Sequence, residues 1–203
     1  MIPGLQHNRS DLHGNGTPHP QEGDALIVID PQNDFLPGGA LPVSDGHEIL
    51  GPLQRWIDVF DQCGLSIVVT RDCHPDNHCS FLDQGGLWPS HCILGSHGAE
   101  VSSGLSLPTA ATVLDKPCWV GVETYDGFSG THLHTLLFEG GVRRLWFGGL
   151  ATDYCVLNTV LEALRLGYEA IVICGAVRAV NVHPEDGLNA LRQMEAHGAF
   201  LHA

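Results

Sequence analysis

Three side chains of different chemistry stand where apolar runs end. Asp30 follows Ala25-Leu26-Ile27-Val28-Ile29, Lys116 follows Ala111-Thr112-Val113-Leu114-Asp115, and Cys155 lies just past Leu145-Trp146-Phe147-Gly148-Gly149-Leu150. A carboxylate beside a thiol can take its proton, and an ammonium can hold that carboxylate in place and favour negative charge nearby. The resulting thiolate is the form that attacks a carbonyl carbon. Cys155 sits in Ala151-Thr152-Asp153-Tyr154-Cys155-Val156, and apolar residues at helical spacing run on from Val156 to Arg165. Thr152 is expected to cap a helix over 152–166, which puts Cys155 in its first turn. Unpaired N–H groups and the helix dipole there tilt a thiol toward thiolate. Taken singly, each residue has a plainer reading: a small buried Cys, a turn-forming Asp, a solvated Lys. Their common position at strand ends argues for function.

A second constellation is Arg71-Asp72-Cys73-His74-Pro75-Asp76-Asn77-His78-Cys79, followed by Trp88-Pro89-Ser90-His91-Cys92. Asp72 and His74 are two apart, so in an extended segment they face the same way. His91 can supply a third donor from across the loop. One carboxylate with imidazoles is a ligand set for Zn2+, Fe2+ or Mn2+ that leaves positions open for water or substrate. His78 is either a further ligand or a hydrogen-bonding neighbour. A structural zinc site on Cys73, Cys79 and Cys92 is the rival, weakened by the lack of any Cys-x-x-Cys pair. A purely structural loop with surface histidines is the plainest alternative.

Strands and helices must carry these groups. Apolar, β-branched runs at 25–29, 65–70, 111–116, 143–149 and 168–174 read as buried strands, and 199–202 as a short last one. Helical patterns cover 49–63, 132–138, 152–166 and about 184–197, the last opened by Pro184 at its first position, with His183 in the turn before it. Residues 71–109 and 118–130 have little periodicity, and a loop as long as the first is usually functional. The alternation predicts an α/β protein with a doubly wound, mainly parallel β-sheet flanked by helices. In that fold the site lies outside the carboxyl ends of the strands, where Asp30, Lys116 and Cys155 fall.

The 203 residues suffice for one sizeable core, and no second domain or internal repeat is evident. Residues 1–23, polar and holding His7, His13 and His19, read as a flexible N-terminal extension, and 24–203 as a single domain. Nine Lys and Arg against 23 Asp and Glu give a net charge of −14, which speaks against nucleic-acid binding. There is no membrane-length apolar run and no signal pattern, so a cytoplasmic location is expected. Seven scattered cysteines are expected to be reduced.

Read together and in order, Ile29-Asp30-Pro31-Gln32-Asn33-Asp34-Phe35, Asp72-Cys73-His74-Pro75-Asp76-Asn77-His78-Cys79-Ser80-Phe81, Trp88-Pro89-Ser90-His91-Cys92, Lys116 and Gly149-Leu150-Ala151-Thr152-Asp153-Tyr154-Cys155-Val156 resemble the nicotinamidase branch of the isochorismatase-like cysteine hydrolases. The resemblance runs from about residue 25 to the C-terminus. It implies an Asp30–Lys116–Cys155 triad and a divalent metal, Zn2+ foremost with Fe2+ or Mn2+ as alternatives, on Asp72, His74 and His91. It implies substrate walls at Phe35, Trp88 and Tyr125. It also implies a cis peptide at Leu150–Ala151 that turns the Ala151 and Cys155 amides toward an oxyanion. Pro117 departs from the family pattern, which often has Gly after the lysine.

The activity so implied is hydrolysis of nicotinamide to nicotinate and ammonia through a thioester, a step of NAD salvage, with pyrazinamide as a related small-molecule substrate. Other expectations are an amide hydrolase of the same fold acting on a different carboxamide or carbamoyl group, and a non-catalytic zinc-binding module. An isochorismatase proper is opposed by Cys155 and by the metal motif.

Overall fold

The computed structural model describes residues 18–203; His7 and His13, with the rest of 1–17, lie outside the described residues. Strand β1 (Asp24–Ile29) is buried along its whole length, as a central strand covered on both faces must be. Ala25, Ile27 and Ile29 point to one face, and Leu26 and Val28 to the other. Helix α1 (Leu50–Gln62) covers the second face with Leu53, Ile57 and Phe60, one stripe at helical spacing. Strand β2 (Ser66–Arg71) pairs parallel with β1, and β3 (Thr112–Asp115) pairs parallel with β2.

The chain then crosses to the first face. Helix α2 (Leu133–Glu139) precedes β4 (Arg144–Leu150), which pairs with β1 on its other side. Helix α3 (Leu157–Arg165), β5 (Glu169–Arg178), α4 (Asp186–Ala196) and β6 (Phe200–His202) follow. Leu133 and Leu137 of α2, Val160 and Ala163 of α3 and Met194 of α4 join the core beneath Ile27 and Phe147. The sheet order is β3-β2-β1-β4-β5-β6, with every neighbouring pair parallel. The expected mainly parallel sheet is thus parallel throughout. Successive strands step outward from β1 on one side and from β4 on the other, so the order reverses between those two. A crevice opens at such a point beyond the strands' carboxyl ends.

At the opposite end the same two strands are pinned. Asp24 accepts Arg144 Nε at 2.9 Å, Arg144 Nη2 at 2.7 Å and Trp146 Nε1 at 2.8 Å, all buried. Arg144 Nη2 also donates to the His19 carbonyl at 3.0 Å, which ties the segment before β1 to the sheet. At the crevice end Gly149 has φ +127°, and a Cβ there would run into the Ile29 carbonyl oxygen. Only glycine fits between these strands at that level.

Several boundaries differ from the sequence expectation. Thr152 does not cap a helix. Ala151 is the extended residue before a wide turn over Thr152–Val156, and the Val156 N–H reaches back five residues to the Ala151 carbonyl at 3.0 Å. Pro184 is not the first helical residue. Glu185 takes φ +82°, which no helix accommodates, and α4 starts at Asp186, whose carboxylate accepts the His183 N–H at 2.7 Å. Strand β5 runs to Arg178, beyond Cys174, because its register against β4 shifts between Phe147 and Gly149.

Candidate active site

The motif at the end of β1 works through three alternating residues. Asp30, with φ +46° and no exposed surface, turns its carboxylate into the crevice. The Gln32 side chain clamps the backbone of Asp72: its Oε1 accepts the Asp72 N–H at 2.7 Å and its Nε2 donates to the Asp72 carbonyl at 2.8 Å. Asp34 accepts the Cys92 N–H at 2.7 Å, beside His91. The long loop after β2 folds back on itself, with the His74 N–H donating to the Cys92 carbonyl at 3.0 Å and the Leu94 N–H to the His74 carbonyl at 2.9 Å. Residues seventeen positions apart in the chain, His74 and His91, thereby come together, with ring centroids 4.9 Å apart.

Lys116 is the hub. Its Nζ donates to Asp30 Oδ2 at 2.5 Å, to Asp72 Oδ1 at 3.2 Å and to Cys155 Sγ at 3.2 Å. Thr70, at the end of β2, donates its hydroxyl to the other oxygen of Asp30 at 2.7 Å. Asp30, Asp72 and Cys155 each bring one donor atom within 4.8 Å of the others. The three strand-end residues singled out in the sequence therefore meet, all with almost no exposed surface.

Burial sets the electrostatics. It raises the proton affinity of the Asp30 carboxyl, with Asp72 adding to it and Lys116 opposing. It also pushes the Cys155 thiol well above its ordinary value, again against Lys116. The expected tilt toward thiolate therefore does not hold for the resting site: desolvation outweighs the helix start and the ammonium. Burial works against the Lys116 charge too, but Asp30, Asp72 and then Cys155 outweigh it and hold the proton firmly. Asp72 is the contrasting case. Burial opposes its ionisation, yet Lys116, His74 and His91 together hold its carboxyl well below the usual range. The resting site pairs an ionised Asp72 and an ammonium with a neutral thiol, next to a carboxyl of raised proton affinity.

Asp72, His74 and His91 form the second group of donor atoms, again within 4.8 Å of one another and all buried. Both His74 ring nitrogens are buried without a hydrogen-bond partner among the described residues, and Nε2 stands 3.3 Å from Asp72 Oδ2. His91 Nδ1 lies 2.8 Å from the Pro89 carbonyl. A carbonyl only accepts, so Nδ1 carries the proton and Nε2, 3.9 Å from the same Asp72 oxygen, keeps its lone pair. Burial lowers the His91 pKa and favours that neutral ring. Ligands of one small cation lie about 3–3.5 Å apart at the usual bond lengths, so this donor set fits a divalent ion.

His78 stands apart from that set. Its Nδ1 meets Ser80 Oγ at 2.7 Å and Nε2 meets the Val122 carbonyl at 3.1 Å. Its ring lies against His74, centroid to centroid 4.2 Å, as a neighbour. Of the rival zinc set, Cys73 and Cys92 are buried and Cys79 partly so, all as free thiols; burial first and then Cys118 push Cys73 up to about 12.

Phe35, Trp88 and Tyr125 line one cavity with Cys155, Asp72 and His91. Trp88 Nε1 donates to the Tyr125 hydroxyl at 3.1 Å, and Trp88 stands edge-on to Tyr154 at 5.0 Å. The peptide bond Leu150–Ala151 is cis, and Ala151 also borders the cavity. Tyr154, Glu123, Thr70 and the Gln32 clamp were not assigned from sequence. Tyr154 was legible from its place beside Cys155, while Thr70 and Gln32 depend on contacts forty residues away.

Comparison with known proteins agrees with this fold. A family model described as the isochorismatase domain matches residues 24–202. The nicotinamidase of Escherichia coli is 37% identical over 199 residues, covering 88% of this chain and 93% of that protein. Among solved structures, the pyrazinamidase of Pyrococcus horikoshii in complex with zinc superposes with a TM-score of 0.84 at 42% identity, covering 88% of this chain and 98% of that one. PnC1 from L. infantum in complex with nicotinate gives 0.82 at 32%, covering 89% and 92%. The chain therefore belongs to the isochorismatase family, alongside its nicotinamidases, and is an amide hydrolase of that fold.

Proposed function

We propose that this enzyme hydrolyses nicotinamide to nicotinate and ammonia through a thioester on Cys155, within one catalytic domain over 24–203, in cytoplasmic NAD salvage. The observation that carries the reading is the meeting of Asp30, Lys116 and Cys155 with Asp72, His74 and His91 at one aromatic-walled cavity. Phe35 and Trp88, which both line the cavity, would hold a flat ring, and pyrazinamide presents the same ring edge and carboxamide. Asp72, His74 and His91 would hold the divalent ion, Zn2+ foremost. When bound, that ion supplies a Lewis-acid contact that orients the ring nitrogen and draws electron density from the ring.

The chain's own residues do the rest. Asp30 takes the Cys155 proton, a transfer favoured by its raised proton affinity. Sγ bonds to the carboxamide carbon, and the amides of Ala151 and Cys155 hold the oxyanion; one such donor is worth about 3 kcal/mol. Asp30 returns the proton to the nitrogen as the C–N bond breaks and ammonia leaves. It then takes a proton from water, whose oxygen attacks the thioester carbon, and Sγ departs and is reprotonated. Lys116 steadies Asp30 throughout and compensates the negative charge on sulfur.

The test is ammonia release from nicotinamide by purified protein, before and after chelation, with metal content measured on the same sample. Activity that falls with chelation and returns with added metal is expected. A folded, metal-loaded sample that releases no ammonia overturns the substrate. Cys155→Ala is expected to reduce turnover about 10⁴-fold or more while keeping its melting temperature; substantial residual activity removes the covalent route.

A further inference from the structure

Glu123 lies in the irregular stretch between β3 and α2 and lines the same cavity as Asp72, His91 and Cys155. Its side chain keeps 23% of its surface exposed, but Oε2 is buried and has no hydrogen-bond partner among the described residues. A buried acceptor on a charged group is costly unless a donor or a cation serves it.

The neighbours do not serve it. His78 Nδ1 is 3.9 Å away, beyond hydrogen-bonding reach. Nε2 faces the Val122 carbonyl, which only accepts, so Nε2 carries the hydrogen; Nδ1 accepts from Ser80, whose N–H lies 3.3 Å away and whose hydroxyl lies 2.7 Å away. Lys116 is committed to Asp30, Asp72 and Cys155. The Tyr125 hydroxyl accepts from Trp88 and makes no hydrogen bond to Glu123 Oε2.

Its position says what would serve it. His78, its polar neighbour, lies against His74, so Glu123 flanks the Asp72–His74–His91 side of the cavity. It is not among the donor atoms that come within 4.8 Å of one another there. It is therefore not a direct member of that donor set, although it lines the same cavity as Asp72 and His91.

We propose that Glu123 is a positioning residue of the cation site, its Oε2 accepting a hydrogen bond from a water carried by the ion that Asp72, His74 and His91 hold. The inference rests on the metal reading above and adds a residue to it. Outer partners of this kind typically change metal affinity by 10–100-fold. Glu123 then holds the open face of the ion in register with the cavity, and it offers a negative charge opposite the positive one.

The experiment measures affinity for Zn2+ and for Mn2+ by competition with a chromophoric chelator. It compares the wild-type chain with Glu123→Gln, Glu123→Ala and Asp72→Asn, with melting curves alongside. Water-proton relaxation of the Mn2+-saturated proteins reports on the bound water directly. The expected result is about tenfold weaker metal binding in Glu123→Gln, a larger loss in Glu123→Ala, and altered relaxation in both at saturating Mn2+. Affinity within twofold of wild type and unchanged relaxation in Glu123→Gln overturn the inference, while loss of binding in Asp72→Asn keeps the metal reading standing. A wild-type chain that binds neither ion overturns both. Should Glu123→Ala fail to fold, Glu123→Gln, which keeps the shape, decides alone. A change confined to the KM for nicotinamide, with metal affinity untouched, assigns Glu123 to the substrate and overturns the proposal.

Discussion

Lys116 is shared among two carboxylates and a thiol, all with almost no exposed surface. Folding raises its proton affinity, so its contribution is complete below the unfolded value near pH 10.4 and covers the whole working range. The pH dependence of losing it comes from the acids. Lys116→Met leaves Asp30 and Asp72 buried beside each other, at a cost of about 3–5 kcal/mol near pH 7. Asp30 already binds its proton more tightly than a free carboxyl, and without the ammonium tighter still. Lowering the pH therefore neutralises it and relieves the repulsion. Thermal melts should show the gap between wild type and Lys116→Met shrinking as the pH is lowered; a gap that does not change with pH would contradict the shared-charge account. A second expectation concerns Cys155, whose thiol burial pushes up. Iodoacetamide at pH 8, followed by peptide mass mapping, should label exposed Cys63 and Cys118 before Cys155. The strand-end positions of Asp30, Lys116 and Cys155 were legible from where apolar runs stop. The resting protonation of Cys155 was not, because a helix start is visible in sequence and the desolvation that outweighs it is a property of the packed crevice.

Among the elements, the segment after β1 joins the two halves of the site. Asp30 faces the thiol, Gln32 grips the Asp72 backbone, and Asp34 holds the turn that carries His91. Gln32→Ala would leave a buried N–H and a buried carbonyl without their partners, each worth about 1–3 kcal/mol. The variant is expected to melt lower and to hold metal more weakly, read by chelator competition; an unchanged affinity would show that the loop keeps Asp72 in place by itself. The long irregular stretch after β2 was legible as functional from its length and its His content. Its fold-back was not, since the pairing of His74 with Ile93 and of Phe81 with Trp88 follows no periodic pattern. Likewise the wide turn at Thr152–Val156 has the residues of an ordinary helix start, and only the backbone bond from Val156 to Ala151 separates the two.

For the molecule as a whole, the decisive contact is between β1 and β4, where the strand order reverses. Six strand patterns and four helical ones sufficed to read the doubly wound sheet, because most of the strands announce themselves by apolar, β-branched composition. The order β3-β2-β1-β4-β5-β6 was not spelled out by any local pattern; it follows from which faces the helices cover. Gly149→Ala tests the closeness of that contact. The new Cβ meets the Ile29 carbonyl, and the backbone sits at φ +127°, so a loss of more than about 3 kcal/mol is expected. Equilibrium denaturation or the yield of folded protein checks it.

The buried clamp of Asp24 on Arg144 and Trp146 lies at the far end of that same strand pair from Asp30 and Cys155. It works as the base plate of a caliper. The acid and the thiol are its two tips, and their gap is set by the rigid arms, not by the loops draped around them. Loops exchanged for those of another member would alter what enters the jaws, while the span over which the proton travels stays the same.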